Sequence, residues 1–195
     1  MRLAEYSLSY ERVLRCKESS AHLAMRERVF LYSIVFSLAP QWSLEIGTFK
    51  GGSAYIISGA LDDVALGGKL VTIDPYPEQI ELNWSTIAHN TKSVQGFFPK
   101  DIEKVVLPDG IRYDFAFVDG DHSYNAVLND LTSLPEILSK EAYVLLHDAY
   151  NAEVNAAIQE AQKKSRYQDC GRIGRVMNDI CGDELYGGFH LLLNK

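Results

Sequence analysis

Acidic and histidine residues cluster at two places in the sequence, each time after an apolar run that is typical of a buried strand. Asp119-Gly120-Asp121-His122-Ser123-Tyr124 follows the run Tyr113–Val118, and His147-Asp148 follows Ala142–Leu146. In open α/β sheets the carboxyl ends of the strands meet at one edge, where ligands bind. An imidazole titrates near neutral pH and can accept a proton from a hydroxyl group. We therefore expect proton transfer at this edge, with Asp119 and His122 as the catalytic candidates.

A glycine-rich turn earlier in the chain predicts a ligand-binding loop. The strand Ser43–Ile46 leads into Gly47, and Gly51-Gly52-Ser53 opens a predicted helix. Glycine permits a tight turn with φ > 0 and lets a ligand lie close to the backbone. The spacing E-x-G-x-x-x-G-G-S differs from the dinucleotide fingerprint G-x-G-x-x-G, and the helix start lacks the Lys-Ser/Thr pair of a phosphate-binding loop. Taken alone, the turn would also suit an ordinary strand–helix connection without a ligand.

Two further strand ends supply candidate contacts to a nucleoside. Asp74 follows the run Lys69–Ile73, and Pro75 helps to stop that strand and to hold the acid at its end. A carboxylate at this position can accept hydrogen bonds from both hydroxyls of a ribose. A weaker third strand, Val94–Phe98, would carry Gln95, Gly96 and Phe97 to the edge where a base would lie.

The remaining patterns complete an α/β chain. Residues 1–40 are predicted to be helical, with a break at Glu18-Ser19-Ser20, where a serine would cap the second helix. Pro135 interrupts the helical pattern Val127–Leu138 and predicts a division near Ser133. The last two strands, near Ile173–Met177 and at Gly188–Leu193, are joined without a helical pattern, so we expect an antiparallel pair.

Composition limits the class of protein. The chain has 195 residues, 47% of them apolar and 23% charged, which predicts one domain, residues 1–195, with a helical cap at 1–40 and a core at 42–195. A formal charge of −7 argues against a nucleic-acid partner. The three cysteines form no C-x-x-C pair, which indicates reduced thiols. The start of the chain is too polar for a signal peptide, and no apolar run is long enough to span a bilayer. We expect a cytoplasmic protein without a membrane partner.

Taken together, the motifs resemble those of the class I S-adenosylmethionine (SAM)-dependent methyltransferases, and more narrowly a small bacterial group of them. That group carries E-I-G-x-x-x-G-x-S, a strand ending in D-G-D-H-S-Y, and a later strand ending in H-D; the resemblance spans residues 42–195. It implies a Rossmann-like three-layer α/β sandwich. The sheet would be seven-stranded and mostly parallel, in the order 3-2-1-4-5-7-6, with an antiparallel last strand.

The resemblance also implies that the cofactor is SAM and where it binds. Glu45 and Gly47 would line its methionine part, and Asp74 would hold its ribose. The predicted cofactor-binding residues are Glu45, Gly47, Thr48, Phe49, Gly51, Ser53, Asp74, Gln95, Gly96 and Asp119. The short polar segment between Asp74 and Val94 departs from the family pattern on the adenine side. Residues 1–40 lie outside the shared motifs, and in the family such segments often determine the acceptor.

Two mechanisms of methyl transfer fit these residues. Transfer from a sulfonium is an in-line displacement, so the acceptor must be held close to the methyl group and lose its proton. In the first mechanism His122 is the general base. In the second, Asp119, His147 and Asp148 hold Mg²⁺ or another divalent cation that lowers the pKa of the acceptor hydroxyl. Related metal-dependent O-methyltransferases place two acids and a third polar ligand at these strand ends, whereas histidine suits Mg²⁺ poorly.

The leading functional hypothesis is an enzyme that methylates a small molecule, with a hydroxyl oxygen as the acceptor. A nicotinamide-dependent oxidoreductase is disfavoured by the glycine spacing and by the antiparallel last strand. Two more hypotheses are compatible with the motifs: a SAM-fold protein that binds without transferring a methyl group, and a related fold that catalyses hydroxylation or another reaction. Residues 1–40 are expected to pack on the sheet or to cap the site, with a homodimer contact as the alternative.

Overall fold

The protein is an α/β structure whose helices flank a mixed sheet. The computed structural model describes residues 10–76, 79–164, 166–174, 177–181 and 184–195. The helices are α1 (Tyr10–Glu18), α2 (Met25–Leu38), α3 (Gly52–Val64), α4 (Tyr124–Ser133) and α5 (Ala152–Lys164). The strands are β1 (Trp42–Ile46), β2 (Lys69–Asp74), β3 (Thr91–Gln95), β4 (Tyr113–Val118), β5 (Leu138–His147), β6 (Tyr167–Ile173), β7 (Met177–Cys181), β8 (Glu184–Tyr186) and β9 (Phe189–Asn194). Within these ranges no helix is both long enough and apolar enough to cross a membrane.

The predicted sheet is confirmed. Seven strands form the main sheet in the order β3-β2-β1-β4-β5-β9-β6, and β7 and β8 form a separate two-stranded hairpin. Strands β1 to β5 pair in parallel, while β9 runs antiparallel to both β5 and β6. With the hairpin left out, β9 is the seventh strand of the sheet. The order is therefore the 3-2-1-4-5-7-6 arrangement that the sequence motifs implied.

The register of the central strands aligns their carboxyl ends. Ile46 of β1 stands opposite Ile73 of β2 and Val118 of β4, and Val118 stands opposite Leu146 of β5. The chain leaves the sheet after each of these residues at the same level. The polar groups predicted from the sequence therefore share one edge: Gly47, Asp74, Asp119 and His147.

Both faces of the sheet are buried, which explains the continuous apolar runs of the central strands. Side chains alternate along β4: Phe115 and Phe117 pack with α2 and α3 in one core, and Ala116 and Val118 pack with α4 and α5 in the other. All four of these residues are buried. A strand held from both sides is a rigid support for the acidic turn that follows it.

The predicted positions of two strands are wrong, and both are edge strands. The structure places β3 at Thr91–Gln95 rather than at Val94–Phe98, and β6 at Tyr167–Ile173 rather than near Ile173–Met177. An edge strand has one neighbour, so polar residues are tolerated along it and apolar periodicity does not mark its limits. Residues 175–176 of the predicted last-but-one strand lie outside the described residues.

The division at Pro135 is confirmed, but the role of Leu138 is wrong. Helix α4 ends at Ser133, a 3₁₀ turn covers Leu134–Glu136, and β5 then begins at Leu138 instead of Ala142. The helical pattern predicts Leu138 on the core face of the helix. It is buried in the same core cluster as α4, and burial alone does not distinguish a helix residue from a strand residue.

The expected serine cap of the second helix is also wrong. Helix α2 follows Ala24, and the backbone N–H of Ala24 donates to the carboxylate of Glu27 at 2.8 Å. The Ser19 hydroxyl instead donates to the carbonyl of Gly52 at 2.8 Å, which ties the segment after α1 to the start of α3. The first nine residues of the predicted helical region lie outside the described residues.

Gly47 is predicted to be far less replaceable than another glycine of similar backbone conformation. A Cβ at Gly47 (φ +96°) would lie 2.3 Å from the carbonyl oxygen of Asp119, whereas one at Gly67 (φ +77°) would meet nothing within 4 Å. Gly67→Ala should cost about 1–2 kcal/mol, the usual penalty of a left-handed conformation. Gly47→Ala should cost about 3 kcal/mol, since overpacking against backbone adds to it. Equal losses in urea unfolding would contradict this account of the close approach.

Candidate active site

A cavity of about 540 Å³ opens at the carboxyl edge of the sheet. Its walls come from the ends of β1, β2, β3, β4 and β5, from the start of α4, and from the segment between α1 and α2. Ten of the residues predicted for cofactor, catalysis or metal line it: Gly47, Thr48, Phe49, Ser53, Asp74, Gly96, Asp119, His122, His147 and Asp148. Glu45, Gly51 and Gln95 do not line it.

The glycine turn is held in place by the acidic turn of β4. The backbone N–H of Gly47 donates to Ile73, and that of Asp119 donates to Ile46, so the sheet ladder continues one step beyond the strands. Gly51 has φ +84° and precedes the first residue of α3. The turn thereby exposes backbone and the helix start to the cavity, with Gly52 and Ser53 lining it.

Asp74 fixes the same turn from the side. One carboxylate oxygen accepts the N–H of Phe49 at 2.9 Å, and the other accepts the N–H of Tyr76 at 2.7 Å. An ionised carboxylate has about four lone-pair positions. Two of them remain for hydrogen bonds from a ligand, so Asp74 can position the loop and bind a diol together.

Glu45 lies beneath the turn and is fully buried. It accepts the hydroxyl of Thr72 at 2.5 Å, and that hydroxyl also contacts the hydroxyl of Thr48. Its other oxygen has no hydrogen-bond partner among the described residues. Burial, reinforced by the nearby charges of Asp119 and Asp74, raises the pKa of Glu45 to about 8. Its place in the structure is to support the loop through Thr72 and Thr48.

His147 lies at the centre of a group of carboxylates. The ring is 5% exposed; its Nδ1 is 3.1 Å from Asp119 and 3.3 Å from Asp148, and its Nε2 is 3.4 Å from Glu27. Burial alone would lower the pKa of His147, but the three carboxylates outweigh burial and raise that pKa well above its ordinary value. The three carboxylates therefore favour the protonated form of His147.

His122 lies nearer the cavity and is partly exposed. Its Nε2 is 2.9 Å from a carboxylate oxygen of Asp148 and 3.8 Å from one of Asp119. The carboxylates of Asp119 and Asp148 raise the pKa of His122 to about 9. At neutral pH the imidazole carries a proton, so it has to release that proton before it can accept one from a substrate.

The turn before β9 fixes two acids of this group. The backbone N–H of Gly187 donates to Asp148 at 2.5 Å, and that of Gly188 donates to Glu27 at 2.8 Å. Although burial opposes ionisation, the neighbouring rings of His122 and His147 and the N–H of Gly187 hold the pKa of Asp148 well below its usual range. The antiparallel final strand thus contributes directly to the active-site geometry.

A cation site at Asp119, His147 and Asp148 stays a prediction. Asp119, His147 and Asp148 do come together, but among the described residues the set whose ligand atoms all lie within 4.8 Å of one another is Asp119, His122 and Asp148. Two carboxylates and one imidazole would fit a divalent cation, and the imidazole favours a transition metal over Mg²⁺.

Several cavity residues were not predicted from the sequence. The segment Ser20-Ala21-His22 lines the cavity, and the ring of His22 meets that of Phe49 edge-on at 5.0 Å between centroids. Glu27 and Asp130 were also missed. For Asp130 a signal existed, since it falls on the same helical face as Val127 and Leu131 in an otherwise apolar stripe. For the others, only tertiary contacts connect them to the site.

Comparisons with known proteins agree with this geometry. Residues 44–149 match the family model described as a methyltransferase domain. The chain is 25% identical over 131 residues to an uncharacterized protein of Acanthamoeba polyphaga mimivirus, and the match covers 62% of this chain and 57% of that protein. The chain thus spans less than two thirds of the length of this relative.

Solved structures share the fold. The O-methyltransferase TomG of Streptomyces achromogenes, involved in tomaymycin synthesis and crystallised with SAM, superposes with a TM-score of 0.70 at 19% identity, covering 95% of this chain and 88% of that one. An O-methyltransferase of Bacillus cereus in complex with S-adenosylhomocysteine (SAH) gives 0.69 at 16% identity, covering 95% and 90%.

The matched family model covers more than half of the chain and runs from β1 to the acidic residues that follow β5. The chain belongs to the methyltransferase-domain family.

Proposed function

We propose that this protein transfers a methyl group from SAM to a hydroxyl oxygen of a small molecule. The observation that carries the proposal is that one cavity contains both halves of such a site. On one side lie the glycine turn and Asp74; on the other lie Asp119, His122 and Asp148. Its volume of about 540 Å³ falls within the range of about 300–1,000 Å³ that is usual for small-ligand sites.

The cofactor half supplies a contact for each part of SAM. The free lone pairs of Asp74 suit the two ribose hydroxyls. The start of α3, with Gly52 and Ser53 on the cavity wall, suits the carboxylate of the methionine part, because unpaired N–H groups and the helix dipole favour an anion. Gly47 leaves the backbone open for the chain of the cofactor.

The reactive half supplies a proton acceptor or a cation site. The sulfonium methyl has to face Asp119 and His122 so that an acceptor oxygen can approach it in line. His122 would take the acceptor proton once its own proton has been released to solvent. Alternatively, a cation held by Asp119, His122 and Asp148 would lower the pKa of the acceptor hydroxyl. Both routes use Asp119.

The N-terminal segment would shape the acceptor site. Ser20, Ala21 and His22 line the cavity, and the 41% exposed ring of Phe49 lies beside His22. This supports the proposal that residues 1–40 and 42–195 act as one domain. The net charge of −7 favours a small-molecule acceptor over nucleic acid. The free thiols of Cys16 and Cys170 are consistent with a reducing, cytoplasmic location.

Two substitutions should separate catalysis from cofactor binding. Asp119→Asn and His122→Ala should each lower kcat by about 10²–10⁴-fold, the usual contribution of a positioned acid–base group, while SAH still binds in calorimetry. Asp109→Asn and His89→Ala change the same residue types outside the cavity and should leave kcat unchanged. Normal turnover by both site variants would refute the proposed roles.

Chelation and pH should distinguish the two routes. If His122 is the base, EDTA has no effect, and kcat rises as pH increases from 7 toward about 9, because the imidazole with its pKa of about 9 must lose its proton to act. If a cation is needed, EDTA abolishes turnover and added Mn²⁺ or Mg²⁺ restores it. Turnover that is insensitive to EDTA and independent of pH over this range would contradict both routes.

A further inference from the structure

Asp130 is a buried acid on an otherwise apolar helix face, where ionisation of its side chain is unfavourable. It lies on α4, is 4% exposed, and lines the cavity. No hydrogen bond or ion pair of its side chain occurs within the described part of the chain, whereas Glu45 accepts a hydrogen bond from Thr72 and Asp119 contacts His147. A buried carboxyl without a partner is costly. Its presence on the apolar face of α4 points to a ligand that supplies the missing partner.

The burial of Asp130 favours the neutral form of its carboxyl. Burial raises its pKa to about 8, and the charge of Asp121 adds to this effect. A neutral carboxyl has one O–H donor and one carbonyl acceptor side by side. This pair is complementary to a ligand edge that offers one acceptor and one donor at the same spacing, as the N1 and N6 atoms of adenine do.

The fold places Asp130 on the wall where a base attached to an Asp74-bound ribose would lie. Asp74 pairs with Gln95, and the N–H of Gly96 donates to the carbonyl of Asp74 at 3.1 Å, so the end of β3 adjoins the diol site. Gly96, Phe97 and Phe98 line the same cavity as Asp130. Phe98 also packs against the core cluster that contains Val127 and Leu131 of α4.

We infer that Asp130, as a neutral carboxyl, recognises the adenine of the cofactor, accepting a hydrogen bond from the N6 amine and donating one to N1. The inference rests on the proposed use of SAM. It assigns the adenine contact to helix α4, in a chain whose segment after Asp74 is short and polar. Ala126, one helical turn before Asp130 on the same face, leaves room for the flat base above it.

Variants of Asp130 test the inference by calorimetry with SAH at pH 6.5. Asp130→Asn keeps an adjacent N–H donor and carbonyl acceptor, so its affinity should stay within about threefold of wild type. Asp130→Leu removes both and should weaken binding by about 10–100-fold, as expected for two lost hydrogen bonds. Asn129→Leu, at the neighbouring position outside the cavity, is the matched control and should bind normally.

The pH dependence of SAH affinity is a second test, because a purely structural role of Asp130 would not produce it. Ionisation removes the O–H donor, so wild-type affinity should fall as pH rises through about 8, approaching tenfold per pH unit above it. Asp130→Asn lacks this proton, so the difference between the two curves isolates Asp130 from Asp121, His122 and the other groups of the cavity. An SAH analogue with 1-deazaadenine in place of adenine should bind wild type more weakly than SAH does. The same analogue should bind Asp130→Leu as tightly as SAH does.

The outcomes separate this inference from the proposed function. If wild type binds SAH and Asp130→Leu binds it equally well, the adenine contact is refuted and the methyltransferase proposal stands. If Asp130→Asn loses binding as fully as Asp130→Leu, the adjacent donor and acceptor of a neutral carboxyl do not bind the ligand, and the inference is refuted. If wild type does not bind SAH, both proposals fall. If Asp130→Leu does not fold, parallel pH curves for wild type and Asp130→Asn would overturn the inference.

Discussion

The contacts of the buried His147 ring with three carboxylates are the interaction on which the site depends. Three carboxylates, from Asp119 after β4, Asp148 after β5 and Glu27 of α2, converge on this one ring. Without a positive charge among them they would repel each other in a poorly solvated place. With it, the acids lie in one network that joins two strand ends to the N-terminal helices. Breaking a buried pair of this kind usually costs more than the pair contributes, so loss of the ring should disturb the whole edge.

The network also links the last strand to the chemistry. Gly187 and Gly188, immediately before β9, donate to Asp148 and Glu27. An antiparallel β9 is what brings this turn back to the carboxyl edge, since a parallel strand would begin at the opposite edge. In an all-parallel dinucleotide fold the two acids would lack these donors. The topology that disfavours an oxidoreductase is therefore the same feature that fixes the acids.

The sequence predicts the elements that rest on repeated local patterns. Central strands buried on both faces give continuous apolar runs, and the acids that follow them lie at the shared edge by the geometry of parallel pairing. Edge strands β3 and β6 were misplaced because exposure removes the apolar signal. Glu27 could not be found from local pattern, since it lies far from His147 along the chain and meets it only in the folded protein. The position of His122 close to both Asp119 and Asp148 likewise depends on tertiary contacts, which strand-end position does not specify.

The most direct measurement is a crystal structure of the protein with SAH. We predict that both ribose hydroxyls lie within about 3 Å of Asp74, that the sulfur faces Asp119 and His122, and that the homocysteine carboxylate lies at the start of α3. A ribose bound elsewhere, or a cofactor whose sulfur points away from Asp119 and His122, would contradict the central claim that this one cavity joins the SAM site to the reactive edge.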